Sequence, residues 1–314
     1  MMNSVGFGVI GAVVKGSLLT FALFLIYGTV PFFGAFAGIF VPFPCIYYTL
    51  KHGRVSGYAI VLLMILLLAF LNQNSLLPYL VLAGVCSLAL PELLARGMGS
   101  TRVLFITVAL NTSLVACLAA VAVVLFSVNL DEQLGRIIQE ALTQVGETYR
   151  QSGLSGKELQ SLDEGLKLLE RSFVLLYPSF AVILFGVVAG LNLLLLKRVS
   201  ASLGKNIHFV NFSDYRNADA LVWLLIIAGF TLLVDIPVLT RVTLNILFLL
   251  YFLYFIQGLA ICSWFAKRKN FPRVLQIVFY VVFAVQPLLT AIVAVIGLAD
   301  LWAGFRSRKI NENL

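Results

Sequence analysis

The chain alternates between long apolar runs and short polar stretches. An apolar run of about 20 residues is long enough to cross a hydrocarbon core of roughly 30 Å as an α-helix. Because such runs recur from end to end, the pattern predicts an all-α polytopic membrane protein, a bundle of eight or nine transmembrane helices. The expected spans are 5–27, 31–50, 57–71, 76–95, 103–128, 173–196, 219–236, 243–266 and 274–302.

The second apolar run contains prolines that a continuous helix does not tolerate. It lies within PFFGAFAGIFVPFPCIYYTLKHGRVSG at 31–57, and Pro31, Pro42 and Pro44 stand in or beside it. Each proline lacks a backbone N–H and clashes with the preceding turn, so the helix is expected to break. Broken backbone at membrane depth normally faces protein or a water-filled cavity. We therefore expect a proline-broken second span around which the other helices pack.

Residues 130–172 differ from the rest of the chain in composition. They hold eight acidic and five basic residues, and their apolar residues recur with helical period. The segment is expected to form an amphipathic helical hairpin outside the cytoplasm. The chain is thus predicted to have an N-terminal bundle of about five spans at 1–129, this hairpin, and a C-terminal bundle of three to four spans at 173–314.

Composition and charge support this class and indicate an orientation. Hydrophobic residues make up 61% of the chain and charged residues 11%, too few to cover a soluble surface. The net charge is +8, but the basic residues are spread over short loops, which argues against nucleic-acid binding. Their distribution predicts a cytoplasmic N-terminus. Whether the final apolar run crosses once or folds back at Pro287, returning the tail to the same side, is left open.

Small residues at four-residue spacing indicate close helix packing. Such positions let two helix backbones approach within a membrane, so they are candidate helix–helix or partner-docking contacts. They occur in the first, second and sixth spans: Gly8, Ala12, Gly16, Gly34, Gly38, Gly186 and Gly190.

Uncharged polar residues within the spans are the candidate ligand-binding groups. Asn245, Gln257 and Gln286 either join helices by hydrogen bonds or converge with the Pro42–Pro44 break on a ligand cavity. Both readings stay open.

Catalytic and metal chemistry have little support in the sequence. The two histidines, His52 and His208, fall in predicted loops, and the four cysteines are far apart in apolar runs. Asp235 and Asp300 lie at predicted span ends, within reach of Arg241 and Arg306, and are expected to form structural ion pairs. We therefore expect no enzyme activity, no metal and no cofactor.

Three segments together resemble the YybS-like family of bacterial predicted membrane proteins, a domain family of unknown function. They are VPFPCIYYTLKHGRVSG at 41–57, NILFLLYFLYFIQGLAI at 245–261 and GLADLWAGFR at 297–306. The resemblance implies a location in the bacterial inner (cytoplasmic) membrane and carries over no site residues. That family is distantly similar to the substrate-binding membrane subunits of energy-coupling-factor transporters. Those subunits dock a scaffold protein through small residues repeated every four positions in the first helix, a pattern that Gly8, Ala12 and Gly16 match.

Two functions follow as expectations. The first is a transport-related membrane subunit that binds a small ligand and depends on another membrane subunit or an ATPase-bearing module for energy. The alternative is a non-catalytic scaffold or assembly protein of the bacterial envelope, with the 130–172 hairpin as its docking surface. A membrane enzyme acting on lipid is disfavoured, because the spans lack buried acid–base groups.

Overall fold

The computed structural model describes residues 2–30, 33–150, 156–203, 207 and 209–306. Pro31, His208, the hairpin loop at 151–155 and the tail after residue 306 lie outside these residues. Every regular element in the described ranges is a helix. The predicted all-α class is confirmed.

The chain packs as two compact units. Unit 1 comprises Met1–Leu130 with Ala181–Phe209, and unit 2 comprises Asp131–Phe180 with Val210–Leu314. The helix α9 (Gly156–Val199) contributes its first half to unit 2 and its second half to unit 1. The segments predicted as domains, 1–129, 130–172 and 173–314, stay a prediction, and the packing units cut across the third of them.

Unit 1 contains two short helices, separated by a turn, in the second predicted span. α1 (Met2–Thr29) packs against α2 (Phe33–Ile39), α3 (Phe43–His52) and α4 (Arg54–Leu71), and α6 (Val85–Ala95) packs against α3 and α7 (Ser100–Phe126). α2 ends at Ile39 and α3 begins at Phe43, with a turn at 40–42 between them. A short π-helical segment, Leu80–Gly84, precedes α6. The helices are α1 (Met2–Thr29), α2 (Phe33–Ile39), α3 (Phe43–His52), α4 (Arg54–Leu71), α5 (Leu76–Tyr79), α6 (Val85–Ala95) and α7 (Ser100–Phe126), with the second half of α9.

Unit 2 contains the hairpin and the last helices. α8 and α9 pack as an antiparallel pair, since the space at Gly146 is bounded by Leu166 and Arg150 bonds to Asp163. α11 packs against α10 and α13. The helices are α8 (Leu130–Arg150), α9 (Gly156–Val199), α10 (Leu221–Thr231), α11 (Pro237–Arg268), α12 (Arg273–Val285) and α13 (Pro287–Ala303).

Seven helices in the described residues are long and apolar enough to cross a membrane, or eight if the bent pair α12–α13 counts as one span. The predicted span at 219–236 is reduced to α10, which has 11 residues. At about 1.5 Å per residue such a helix is roughly 16 Å long, about half the thickness of the hydrocarbon core. Of the eight or nine spans predicted, the described residues therefore support at most eight, and the span at 219–236 is the one that is too short.

The last apolar run folds back at Pro287. α12 and α13 are bent by 101° across this break. Lys267, at the end of α11, donates to the Ser213 hydroxyl (3.0 Å), and Arg306, just after α13, donates to the Ser213 carbonyl oxygen (3.1 Å). The C-terminal ends of α11 and α13 therefore lie at the same end of unit 2. Residue 306 therefore lies beside the basic end of α11. Of the two alternatives for the last apolar run, a single crossing or a fold-back at Pro287, this arrangement matches the fold-back.

Candidate functional site

The helix break in unit 1 leaves a backbone carbonyl that another helix must satisfy. The Phe43 N–H donates to Phe40 O (3.0 Å) instead of to Ile39 O, its partner in a continuous helix. Asn192 of α9 takes that place, because its Nδ2 donates to Ile39 O (2.7 Å) and to Val188 O (2.7 Å). The Asn192 side chain is fully buried. Its Oδ1 has no hydrogen-bond partner among the described residues.

The side chain of a tyrosine packs close to the same break. Tyr79 belongs to the buried cluster that contains Val41, the residue before Pro42. Its ring meets the Phe24 ring edge-on at 5.6 Å between centroids. Thr20 precedes Phe24 by one turn of α1, so it faces the same side of that helix. Tyr79 and Thr20 are both fully buried, and neither hydroxyl finds a partner in the described part of the chain.

Two further irregularities in unit 1 are met by side chains from other helices. Pro91 has no N–H for the Ser87 carbonyl, and the Cys45 thiol of α3 donates to that oxygen (3.6 Å). In the π-helical segment, Val81 O accepts from Asn111 Nδ2 of α7 (3.0 Å). A π-helix shifts the hydrogen-bond register and often marks a functional position.

Unpartnered polar atoms are concentrated in unit 1. Nine buried side-chain oxygens have no partner among the described residues, and eight belong to unit 1. An unsatisfied hydroxyl or amide in low-dielectric surroundings is costly, by roughly 1–3 kcal/mol in mutational data. These atoms leave unit 1 with unused hydrogen-bonding capacity among the described residues. The eight are on Ser17, Thr20, Tyr79, Ser87, Thr107, Asn111, Thr112 and Asn192.

In unit 2, Asn245 repairs the hydrogen-bond ladder of α9 beside Pro178. The Ser179 N–H donates to Asn245 Oδ1 (3.0 Å), and Asn245 Nδ2 donates to Leu175 O (3.0 Å). In an unbroken helix Ser179 and Leu175 would pair with each other. The side chain of Asn245 thus joins α11 to α9 and is committed to backbone groups.

Arg241 acts on the same stretch of α9. Its Nη2 donates to Val174 O (3.1 Å), the acceptor that Pro178 leaves without its helical donor. Its guanidinium also forms two hydrogen bonds with Asp131 (2.6 and 2.8 Å) and lies 5.4 Å from the centre of the Tyr177 ring. These bonds hold the pKa of Asp131 below its ordinary value of 3.8, against the opposing effect of partial burial. The predicted pair with Asp235 is wrong, because Asp131 occupies the guanidinium.

Gln257 belongs to a second polar network in unit 2. Its Oε1 accepts from the Asn217 N–H (2.9 Å), and its Nε2 donates to Asp300 (3.3 Å). Asp300 is buried and accepts from Arg306 Nη2 at 2.7 Å, which confirms the predicted structural ion pair. The Tyr215 hydroxyl donates to Asn217 Oδ1 (2.8 Å), and burial raises the pKa of Tyr215 to about 12.

The predicted ligand residues occupy different environments. Pro42 and Pro44 are buried in unit 1 at the break. Asn245 and Gln257 are 12 residues apart on α11, roughly 18 Å at about 1.5 Å per residue, so they do not share one small ligand. Gln286 is exposed at the fold-back, where its carbonyl oxygen accepts from the Thr290 hydroxyl (2.9 Å).

The small residues also fall into two groups. A Cβ added at Gly16 would meet Ile60 at 2.5 Å, and one added at Gly34 or Gly38 would meet Tyr27 at 2.7 or 2.6 Å. Ala12 is buried as well. Among the described residues, such an atom at Gly8 or Gly186 would meet nothing within 4 Å, and one at Gly190 would meet Leu104 alone, at 3.5 Å.

Sequence reasoning missed the side chains that contact the unit 1 break. It also missed the two glycines at the close contact between α11 and α13. Asn192 and Asn111 are amides within apolar runs, the same signal that singled out Asn245, whereas nothing distinguished Tyr79 from other aromatic residues. A Cβ at Gly258 would collide with the backbone of Val293, and one at Gly297 with that of Tyr254. Neither glycine belongs to a repeated small-residue pattern.

Comparison with known proteins supports the family resemblance. The chain is 24% identical over 314 residues to the "Uncharacterized protein YybS" of Bacillus subtilis (strain 168), covering 95% of this chain and 96% of that protein. No solved structure matches. The likeness to energy-coupling-factor subunits stays a prediction. Residues 18–301 match the family described as "Predicted membrane protein (DUF2232)", and the chain therefore belongs to that family.

Proposed function

We propose that this protein is a transport-related membrane subunit whose unit 1 binds a small uncharged ligand at the break between α2 and α3. The observation that carries the proposal is a set of buried polar atoms in unit 1, including one on Asn192, which bonds to Ile39 O at the break. Asn192 Oδ1 and the hydroxyls of Tyr79 and Thr20 have no partner among the described residues. Discontinuous helices whose polar groups face inward are a common way to build a binding site at membrane depth.

The chemistry of unit 1 favours a neutral ligand. Every buried polar side chain in its described residues is a serine, threonine, asparagine or tyrosine, apart from thiols. Burying a charge without a partner is far more costly than burying a hydroxyl or amide. The Nδ2 atom of Asn192 is already bonded to two carbonyl oxygens, so its Oδ1 is left to accept. A matching ligand therefore donates hydrogen bonds through hydroxyl or N–H groups.

Two further observations favour binding over catalysis. Among the described residues, no group of three or more His, Cys, Asp or Glu side chains could hold a metal ion. The sequence contains no glycine-rich phosphate-binding motif, so ATP-driven transport would need an ATPase-bearing partner. The lipid bilayer of the bacterial inner membrane, with the N-terminus in the cytoplasm, is the proposed setting.

The test is native mass spectrometry of the protein extracted in mild detergent from its own host. We expect a stoichiometric neutral adduct on the wild type and none on Tyr79→Phe or Thr20→Val, which each remove one hydroxyl. Thr29→Val is the matched control on the same helix, because the Thr29 hydroxyl already donates to Leu25 O (2.7 Å). A wild type without any adduct, or adducts on all four proteins, would refute the proposal.

The variants also separate ligand binding from folding. Without ligand, Tyr79→Phe removes an unsatisfied buried hydroxyl, and such a change is expected to be neutral or to stabilise by about 1 kcal/mol. The melting temperatures of the ligand-free wild type and variant are compared, because a bound ligand would itself stabilise the wild type. Loss of the adduct, together with an unchanged or raised melting temperature of the ligand-free variant, assigns the hydroxyl to the ligand. A lowered melting temperature would assign it to the fold.

A second candidate, an envelope scaffold, is favoured by the surface of α8. Outside the candidate spans, Ile137 and Val145 are 61% and 44% exposed on this helix, two turns apart. We expect Ile137→Ser with Val145→Ser to release a crosslinked protein partner while the adduct is retained. Loss of a partner without any adduct on the wild type would favour the scaffold over the transport subunit.

A further inference from the structure

One carboxylate in unit 1 aligns two arginine side chains. Arg54 Nε lies 2.7 Å from Glu92 Oε2, and Arg96 Nε lies 2.9 Å from Glu92 Oε1. The two arginine side chains are 57% and 62% exposed, whereas that of Glu92 is 17% exposed. We call Arg54 and Arg96, which both contact Glu92, the arginine pair.

The arginine pair retains capacity for an anion. A guanidinium carries five N–H donors in a fixed fork, and one carboxylate shared by two guanidiniums cannot engage them all. The two arginines and Glu92 together carry a net charge of +1. Because each arginine contacts Glu92 through Nε, both guanidiniums lie at the same carboxylate, with their Nη groups left for other acceptors. Planar forks of this kind bind phosphate oxygens in pairs.

The position of the arginine pair is that of a lipid headgroup. Arg54 is the first residue of α4, and Arg96 follows the last residue of α6. Both α4 and the segment Gln73–Ala95 qualify as membrane spans, so their ends lie at the level of the headgroups.

The surface of α4 beyond Arg54 suits an acyl chain. Tyr58, one turn further along, is 55% exposed, and Leu62 and Leu66 on the next two turns are 57% and 62% exposed. Tyrosine is typical of the membrane–water interface, and the leucines lie at hydrocarbon depth. A charged site continues into an apolar track on one face of a helix.

We propose that the arginine pair binds the phosphate of an anionic phospholipid, with an acyl chain along Tyr58, Leu62 and Leu66. A free phosphate would use the same guanidiniums, but it would not use the apolar track. This site is independent of the ligand proposed for the α2–α3 break, and neither result decides the other.

The test is lipid retention measured by native mass spectrometry, after reconstitution in vesicles of equal parts phosphatidylglycerol and phosphatidylcholine. Phosphatidylglycerol should be retained in preference to phosphatidylcholine. Arg54→Gln and Arg96→Gln should each lower that retention about fivefold, the effect of roughly 1 kcal/mol per basic residue at a lipid surface. The matched control is Arg136→Gln, because Arg136 also pairs with a glutamate one turn earlier (Glu132, 3.4 Å) but lies on α8.

Arg54→Lys separates an aligned site from general attraction. It keeps the charge, but an ammonium cannot face Glu92 and a phosphate through a fork, so retention should fall. Unchanged retention would overturn the proposal. Equal retention of both lipids would also overturn it, as would an effect of Arg136→Gln equal to that of Arg54→Gln. Displacement of the lipid by millimolar inorganic phosphate would assign the site to free phosphate instead.

Discussion

Replacing Asn245 by leucine tests whether this side chain repairs α9 at Pro178. The change keeps the approximate size of the residue and removes its bonds to Leu175 O and the Ser179 N–H (3.0 Å each). If the repair is needed because of Pro178, the cost of losing Asn245 should depend on that proline. The informative variants are therefore Asn245→Leu, Pro178→Ala and the double variant.

The magnitude follows from the bonds lost. Hydrogen bonds between membrane helices contribute about 0.6 kcal/mol each on average, so two bonds account for roughly 1.2 kcal/mol. Leaving a backbone carbonyl and N–H unpaired in buried surroundings adds about 1–3 kcal/mol. We expect Asn245→Leu to lower the free energy of unfolding by about 2–4 kcal/mol. With Pro178→Ala, the 178 N–H is restored and Leu175 and Ser179 can pair directly, so the cost should fall by at least about 1 kcal/mol.

The assay is equilibrium unfolding in mixed micelles of a mild detergent and sodium dodecyl sulfate, followed by circular dichroism. The four proteins of the cycle give a coupling free energy between positions 178 and 245. A coupling within about 0.3 kcal/mol of zero would show that Asn245 and Pro178 act independently, and the repair would be refuted.

Three further changes have clear expected outcomes. Gly297→Ala should destabilise unit 2 by about 2 kcal/mol or more, since its Cβ meets the Tyr254 backbone. Gly186→Ala should leave the stability unchanged, because no atom of the described residues lies within 4 Å of the added Cβ. Equal melting temperatures of the Gly297→Ala and Gly186→Ala variants would contradict this prediction. The ion pair with Arg241 lowers the pKa of Asp131 in the folded state below its ordinary value of 3.8. The pair therefore stabilises the folded protein fully at pH values above 3.8, and this stability is lost as the pH falls through the folded-state pKa. Asp131→Asn should remove that acid-side loss from the unfolding profile, and an unchanged profile would count against the ion pair. A cysteine replacing Phe305 should react with a membrane-impermeant maleimide from the same side as one in the loop 269–272, and labelling from opposite sides would exclude the fold-back.

The helix breaks show how polar residues are used in this protein. Asn192, Asn111, Cys45 and Arg241 each donate to a backbone carbonyl where a proline or a π-helical segment changes the ladder. Each bond removes one unpaired acceptor from the protein interior. What distinguishes unit 1 is that two of these amides, Asn192 and Asn111, keep an oxygen without a partner among the described residues. Polar groups that are fully committed join helices, and those with spare capacity are the candidates for a ligand.

The sequence alone determined the class of the protein. Apolar runs of about 20 residues predict membrane helices because the hydrocarbon thickness sets their length. Pro42 predicts an interruption because a proline lacks the N–H of its own turn. The ion pair of Asp300 and Arg306 was predicted correctly, but the six-residue spacing did not decide it, because Asp235 and Arg241 have the same spacing and Arg241 pairs with Asp131 instead.

Only the tertiary structure decided which side chain meets which break. Asn192 bonds to a carbonyl 153 residues earlier, and Arg241 pairs with Asp131, 110 residues away, rather than with nearby Asp235. The fold-back at Pro287 likewise became visible only when Lys267 and Arg306 were found on Ser213. Helical periodicity indicates which face of a helix is apolar, and it contains no information about which distant helix packs there. A partner for a freed carbonyl depends on that packing, and so does any ligand site built from the groups left over.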